Sequence, residues 1–228
     1  MKLNSNRIED IMDSPNRQFE LSLPKSNLLR VGEGITESLI DSILGSGFIK
    51  DIPILGTLSG LIKSALNIRD YLFARKVIRF MIQLKDISED DITGFIQAIS
   101  ENPKEKRKVG ISLLPILEKV DEEQKADLIG FLFVKMLKGK IEYELYLRFS
   151  TAIANIFWSD FLKFRNLDEN DHNGNSDFFP LILFGLAKIY DLGAIATLDP
   201  FPTSIRLTDD GVKLILFVKE YFNISEPE

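Results

Sequence analysis

Among its 228 residues the chain has no cysteine, one histidine (His172) and one tryptophan (Trp158). The missing cysteines remove disulfide frameworks, thiolate metal sites and cysteine nucleophiles together. A single histidine disfavours His-rich zinc sites and His-based acid–base schemes. Long apolar runs are missing too: no stretch reaches the roughly 18–20 uninterrupted apolar residues that a spanning helix needs. Nor is there a basic excess, since 28 Lys and Arg stand against 34 Asp and Glu, a net charge of −6 that argues against nucleic acid as the main partner. Residues 1–26 are polar and mixed in charge, without the apolar stretch of an export signal. With no cysteine to oxidise, the expected location is the cytoplasm.

What the chain does contain is 45% apolar residues, 17 of its residues being phenylalanine, enough for a sizeable core. The periodicity is helical. It predicts a mainly α fold, a multi-helix bundle carrying a small C-terminal α/β unit, a β-hairpin with helices. Residues 1–26 read as a mobile N-terminal arm, 27–165 as the bundle, 166–177 as a polar linker and 178–228 as the C-terminal unit. Leu28 to Leu44 suit a first amphipathic segment, closed by Gly45-Ser46-Gly47. A second runs from Pro53-Ile54 to about Leu66, and a third through Tyr71 to Leu84.

Caps announce further helices. Ser88 with Asp91 opens one, Asn102-Pro103 another, and Asp121 with Gln124 a third that Gly139 closes. Pro115 predicts a kink or a break. Ile141 to about Phe164 reads as one long helix, and Phe178–Tyr190 as another. Ala194–Leu198 and Ser204–Leu207 read as strands around a turn at residues 199–202, and Thr208 caps a final helix.

Residues 48–85 stand out. Lys50, Lys63, Arg69, Arg75, Lys76, Arg79 and Lys85 oppose only Asp51 and Asp70, a net charge of +5 that leaves −11 on the remainder. Within the segment Gly56, Gly60 and Ser64 recur every fourth residue, a stripe that lets helix backbones approach closely. A basic, apolar helix of this kind suits an anionic membrane surface. The plainer alternative is a buried bundle helix with glycines where a neighbour crosses.

The C-terminal segment Arg206-Leu207-Thr208-Asp209-Asp210-Gly211 resembles the end of a winged-helix domain, where an "LT..G" helix follows the β-wing. Residues 178–228 carry four basic groups against seven acidic ones, so protein contact is favoured over DNA reading. In the loop around His172, Glu169, Asp171, Asn173 and Gly174 fit the early positions of a calcium loop, but Pro180 stands where the closing glutamate belongs. Neither Gly45–Lys50 nor Gly32-Glu33-Gly34 has the spacing of a phosphate-binding loop. No constellation supports catalysis, a metal or a cofactor.

Ile52-Pro53-Ile54-Leu55-Gly56, then Gly60-Leu61-Ile62-Lys63, then Ile68-Arg69-Asp70-Tyr71-Leu72-Phe73, resembles a family of uncharacterised bacterial helical proteins. The resemblance implies an accessory or effector of anti-phage defence, of the abortive-infection type. The expectation is therefore a non-enzymatic protein acting by helix-mediated self-association, as a homo-oligomer or with a protein partner. Membrane engagement at the inner membrane would run through Lys50, Lys63, Arg69, Arg75, Lys76 and Arg79, with Gly56, Gly60 and Ser64 as the association stripe. The alternative is a soluble scaffold that binds a partner through the winged-helix-like C-terminus.

Overall fold

The computed structural model describes residues 14–29, 37–45, 51–56, 68–102, 108–165, 178–191 and 204–225. The fold is mainly α with a small C-terminal α/β unit, and packing divides it into two units, Met1–Glu142 and Tyr143–Glu228.

The first unit is built around two helices, α3 (Ile68–Ile82) and α6 (Glu123–Leu137). Of three shorter helices before α6, α2 (Glu37–Gly45) and α5 (Val109–Lys119) pack on α3, and α4 (Glu89–Glu101) packs on α5 and α6. Phe80 on α3 and Phe133 on α6 meet edge-on at 5.5 Å, and Phe95 from α4 joins them at 5.7 Å from Phe133. Of the expected caps, Ser88 accepts a hydrogen bond from the Asp91 amide at 3.1 Å. At the end of α6, Gly139 takes a positive φ of 69° and donates to Met136 O, while Lys140 donates to Lys135 O. This paired pattern satisfies the last carbonyls, and the positive φ is what selects glycine.

The N-terminal region departs from the mobile-arm expectation over its described part. Helix α1 (Pro15–Ser22) and a 3-10 helix (Leu23–Leu29) are packed into the unit, with Phe19 and Leu23 fully buried. The physical cause is a division of labour at α5. Its N-cap, Lys108, makes no side-chain cap bond, and the buried Glu20 of α1 instead accepts from the Gly110 amide at 2.9 Å. A carboxylate there meets both a free amide and the positive end of the helix. Gly110 permits it: a Cβ at that position would lie 2.2 Å from Asn16 O.

Other boundaries move as well. Asn102 closes α4, its amide donating to Ala98 O, and does not open the next helix; residues 103–107 lie outside the described ones. At Asp121 the carboxylate accepts from the Glu122 amide and pairs with Lys125, while Glu122 itself is the N-cap. Helix α5 runs through Pro115 as one element, so the proline does not break it.

In the second unit the expected helix 141–164 is two, α7 (Tyr143–Asn155) and α8 (Trp158–Arg165). Near the break, Thr151 Oγ1 donates to Leu147 O and Asn155 Nδ2 to Thr151 O, side-chain bonds that draw carbonyls away from the regular ladder. The single turn α9 (Phe179–Ile182) is followed by a turn through Gly185, whose φ is +68°, so the expected helix 178–190 gives way to strand β1 (Ala187–Asp191). Strand β2 (Ser204–Leu207) pairs antiparallel with β1, Ala187 opposite Leu207 and Ile189 opposite Ile205. Residues 194–198, expected as its partner, lie outside the described ones, as does the polar stretch 166–177.

Helix α10 (Asp209–Ser225) follows, capped as expected by Thr208, whose Oγ1 accepts from the Gly211 amide at 3.2 Å. Trp158 of α8 lies 5.5 Å from Phe222 of α10, and Arg148 of α7 pairs with Asp210 at 3.1 Å. These contacts place α7 and α8 with the C-terminal elements, where the sequence assigned them to the bundle.

Candidate functional site

Two basic residues of α3, Arg75 and Arg79, turn inward. Arg75 and Arg79, one turn apart, face Glu123 and Asp127, one turn apart on α6, a register set by the helical period alone. Arg79 donates to Asp127 Oδ2 through Nε at 2.9 Å and Nη2 at 2.6 Å. Arg75 Nε donates to Glu123 at 2.6 Å, and Arg75 also pairs with Asp41 of α2. The hydrogen bond to Glu123 raises the Arg75 pKa above its ordinary value, against the lowering effect of burial, with help from Tyr71 and Asp41. Lys76 donates to the carbonyls of Glu118 and Val120, closing the C-terminus of α5, and burial lowers its pKa. Arg69 pairs with Glu118 at the surface.

Four of the nine residues singled out from the sequence thus hold the first unit together. Gly56 is half-buried, its amide donating to Ile52 O at 2.8 Å, in a turn whose Ile52, Ile54 and Leu55 are buried. Lys50, Gly60, Lys63 and Ser64 lie outside the described residues. A close helix crossing is found at Gly130 of α6, where a Cβ would come within 2.6 Å of Phe80 O. Asp41, Glu123 and Asp127 were not selected from the sequence. The one available signal was that Arg75/Arg79 and Glu123/Asp127 share the same spacing with opposite sign.

Asp127 is the strained member of the network. Burial pushes its carboxyl up to about 6, although Arg79 and Gln83 work to lower it. The folded value lies above the ordinary 3.8, so the folded chain holds a proton that the unfolded chain has released between those limits. The associated stability is fully present below the ordinary value and is lost as pH rises through about 6. Between pH 7 and pH 5 the wild type is expected to gain about 1 kcal/mol relative to Asp127→Asn, read from urea midpoints at the two pH values.

The described residues offer no group of three or more His, Cys, Asp and Glu side chains that could hold a metal ion. The loop around His172 lies outside them. No described helix is long and apolar enough to cross a membrane.

The second unit carries a different feature. Leu183 is 86% exposed, Phe157 72%, Ile224 64% and Phe179 58%, with Leu162, Leu216 and Ile189 exposed to a lesser degree. The first unit, though longer, exposes only Leu21, Ile68, Leu72 and Ile111 among its described large apolar side chains. Phe179 and Leu183 are one helical turn apart, and Leu216 and Ile224 share a stripe on α10. Charge divides the same way. Residues 143–228 hold seven basic and thirteen acidic groups, and the remaining 21 of each sign cancel in residues 1–142. The whole net charge of −6 therefore belongs to the unit with the apolar surface. Comparison with protein-family models, characterised proteins and solved structures returns no match.

Proposed function

We propose that the chain is a non-enzymatic protein-binding module whose C-terminal unit carries the contact surface. The observation behind this reading is the concentration of exposed Phe157, Phe179, Leu183 and Ile224 in one unit. Exposed apolar groups of this size are the material of interface anchors. The occupant is a protein segment with apolar anchors and a basic rim, because the unit's net charge of −6 attracts such a rim and opposes both polyanions and a second copy of itself.

Within the defence role that the Ile52–Phe73 segment implies, the chain would act as an accessory that recruits a protein component. Membrane engagement through residues 48–85 is less favoured. It requires Arg75 and Arg79 to leave Glu123 and Asp127, and separating the Arg79–Asp127 pair strands a buried charge.

A photocrosslinking amino acid at position 183 or 224 in the producing cell is expected to trap the same basic protein. The same group at exposed Gln97 is expected to trap nothing comparable. Purified, that protein should bind the wild type and lose at least tenfold in affinity for Leu183→Asp/Ile224→Asp, whose melting temperature stays unchanged. Equal binding by wild type and variant would overturn the proposal.

A further inference from the structure

Helix α2 is held differently from the rest of the first unit. It is nine residues long, and Ile40 is its one fully buried side chain. Among the described residues its ionic tie is Asp41, which accepts from Tyr71 Oη at 2.7 Å and pairs with Arg75 Nη1. The two ends of this tie differ in exposure: the Arg75 side chain is 8% exposed, the Asp41 side chain 54%. Arg75 also keeps a second partner, Glu123, on its Nε. Removing Asp41 therefore leaves the buried guanidinium neutralised, and the carboxylate regains water with little to lose. In the neighbouring Arg79–Asp127 pair both side chains are buried, so opening it strands a charge. A nine-residue helix released from its seat does not hold its conformation alone, because nucleation is costly and few bonds follow it.

We propose that α2 is a releasable strap over the Tyr71–Arg75 end of α3, latched by Asp41, which opens while the α3–α6 ionic core stays closed. Opening uncovers the apolar seat of Ile40 together with the Arg75 guanidinium and the Tyr71 hydroxyl. Salt acts on the two sets of contacts unequally, since the half-exposed tie is screened and the buried pair is not.

Hydrogen exchange on the full chain tests this. In Asp41→Ala, amides of residues 37–45 are expected to exchange at least tenfold faster than in the wild type, while those of 123–137 are unchanged. Asp41→Asn, which keeps an acceptor for Tyr71, should give a smaller acceleration. In the wild type, raising sodium chloride from 50 mM to 1 M should speed exchange in 37–45 alone, and Asp41→Ala should lose that salt response. The proposal is overturned if residues 37–45 do not accelerate in Asp41→Ala, or if 123–137 accelerate with them. A salt response that survives in Asp41→Ala would likewise remove Asp41 as the latch.

Discussion

Replacing Arg79 by methionine is expected to cost the chain about 3–5 kcal/mol, the largest single effect in the first unit. The substitution keeps most of the side-chain volume but removes both donors to Asp127 Oδ2. Asp127, with a side chain only 4% exposed, is then left with its charge uncompensated or must bind a proton to shed it. Glu123 stands nearby with the same sign, 3.7 Å from Arg79 in the wild type, and worsens the imbalance. The cost belongs to the stranded partner more than to the lost bond. Arg79→Met/Asp127→Leu should therefore recover most of the stability, with a coupling of 1 kcal/mol or more by urea unfolding. Additive single and double variants would show that the pair acts independently and would refute the account. Arg75→Met removes a cation with two carboxylate partners, each more exposed than Asp127, and is expected to cost less.

The second large effect is expected at Gly211, in the first turn of α10. An added Cβ would stand 1.8 Å from Leu186 O, a backbone atom that is itself fixed by accepting from the Thr208 amide at 3.0 Å. No side-chain rotation relieves such a contact. Either α10 shifts away from the strand entry or the Thr208 cap opens, and Gly211→Ala is expected to cost about 3 kcal/mol. Trp158, 5.5 Å from Phe222 at the other end of α10, reports the loss as a lower thermal midpoint in tryptophan fluorescence. Gly185→Ala supplies the contrast. Space around that position is open and only its φ of +68° is unfavourable, so about 1 kcal/mol is expected. If the two variants melt together, the close approach at Gly211 is not what selects glycine there.

These two positions mark how legibility divides in this chain. The Leu207-Thr208…Gly211 segment was readable because its cap is local, a hydroxyl three residues from the amide it serves. The same holds for Ser88 and Gly139, each of which acts within its own turn. The arginines of α3 were equally visible, but their destination was not. A cation at helical spacing looks the same whether it faces anionic lipid or the carboxylates of a helix 48 residues further on. The +5 of residues 48–85 is a sum over side chains that, at Arg69, Arg75, Lys76 and Arg79, are already engaged by the chain's own acceptors.

The strand at residues 187–191 was missed for a related reason. Ala187–Asp191 is five residues long, too short for its period to be distinguished from one and a half helical turns, and pairing with Ser204–Leu207 decides it. Residues 15–22 read as an arm because they are polar on average, while Phe19, Glu20 and Ser22 act through residues far along the chain, Phe80 and the amides of Gly110 and Ile54.

The sequence by itself determined the class of the molecule. Its helical period, its caps and its phenylalanine content are short-range properties, and they specify a mainly α chain with a mixed C-terminal unit. The missing cysteines and lone histidine took away thiol chemistry and clusters of histidine at the outset. Tertiary structure alone decided which charges are spent and which surfaces are left. Burial depends on what another part of the chain brings into contact, and no local pattern records that. It enclosed Arg75 and Arg79 against α6, set a close helix crossing at Gly130, and left Leu183 and Ile224 in the open on the unit that carries the net charge.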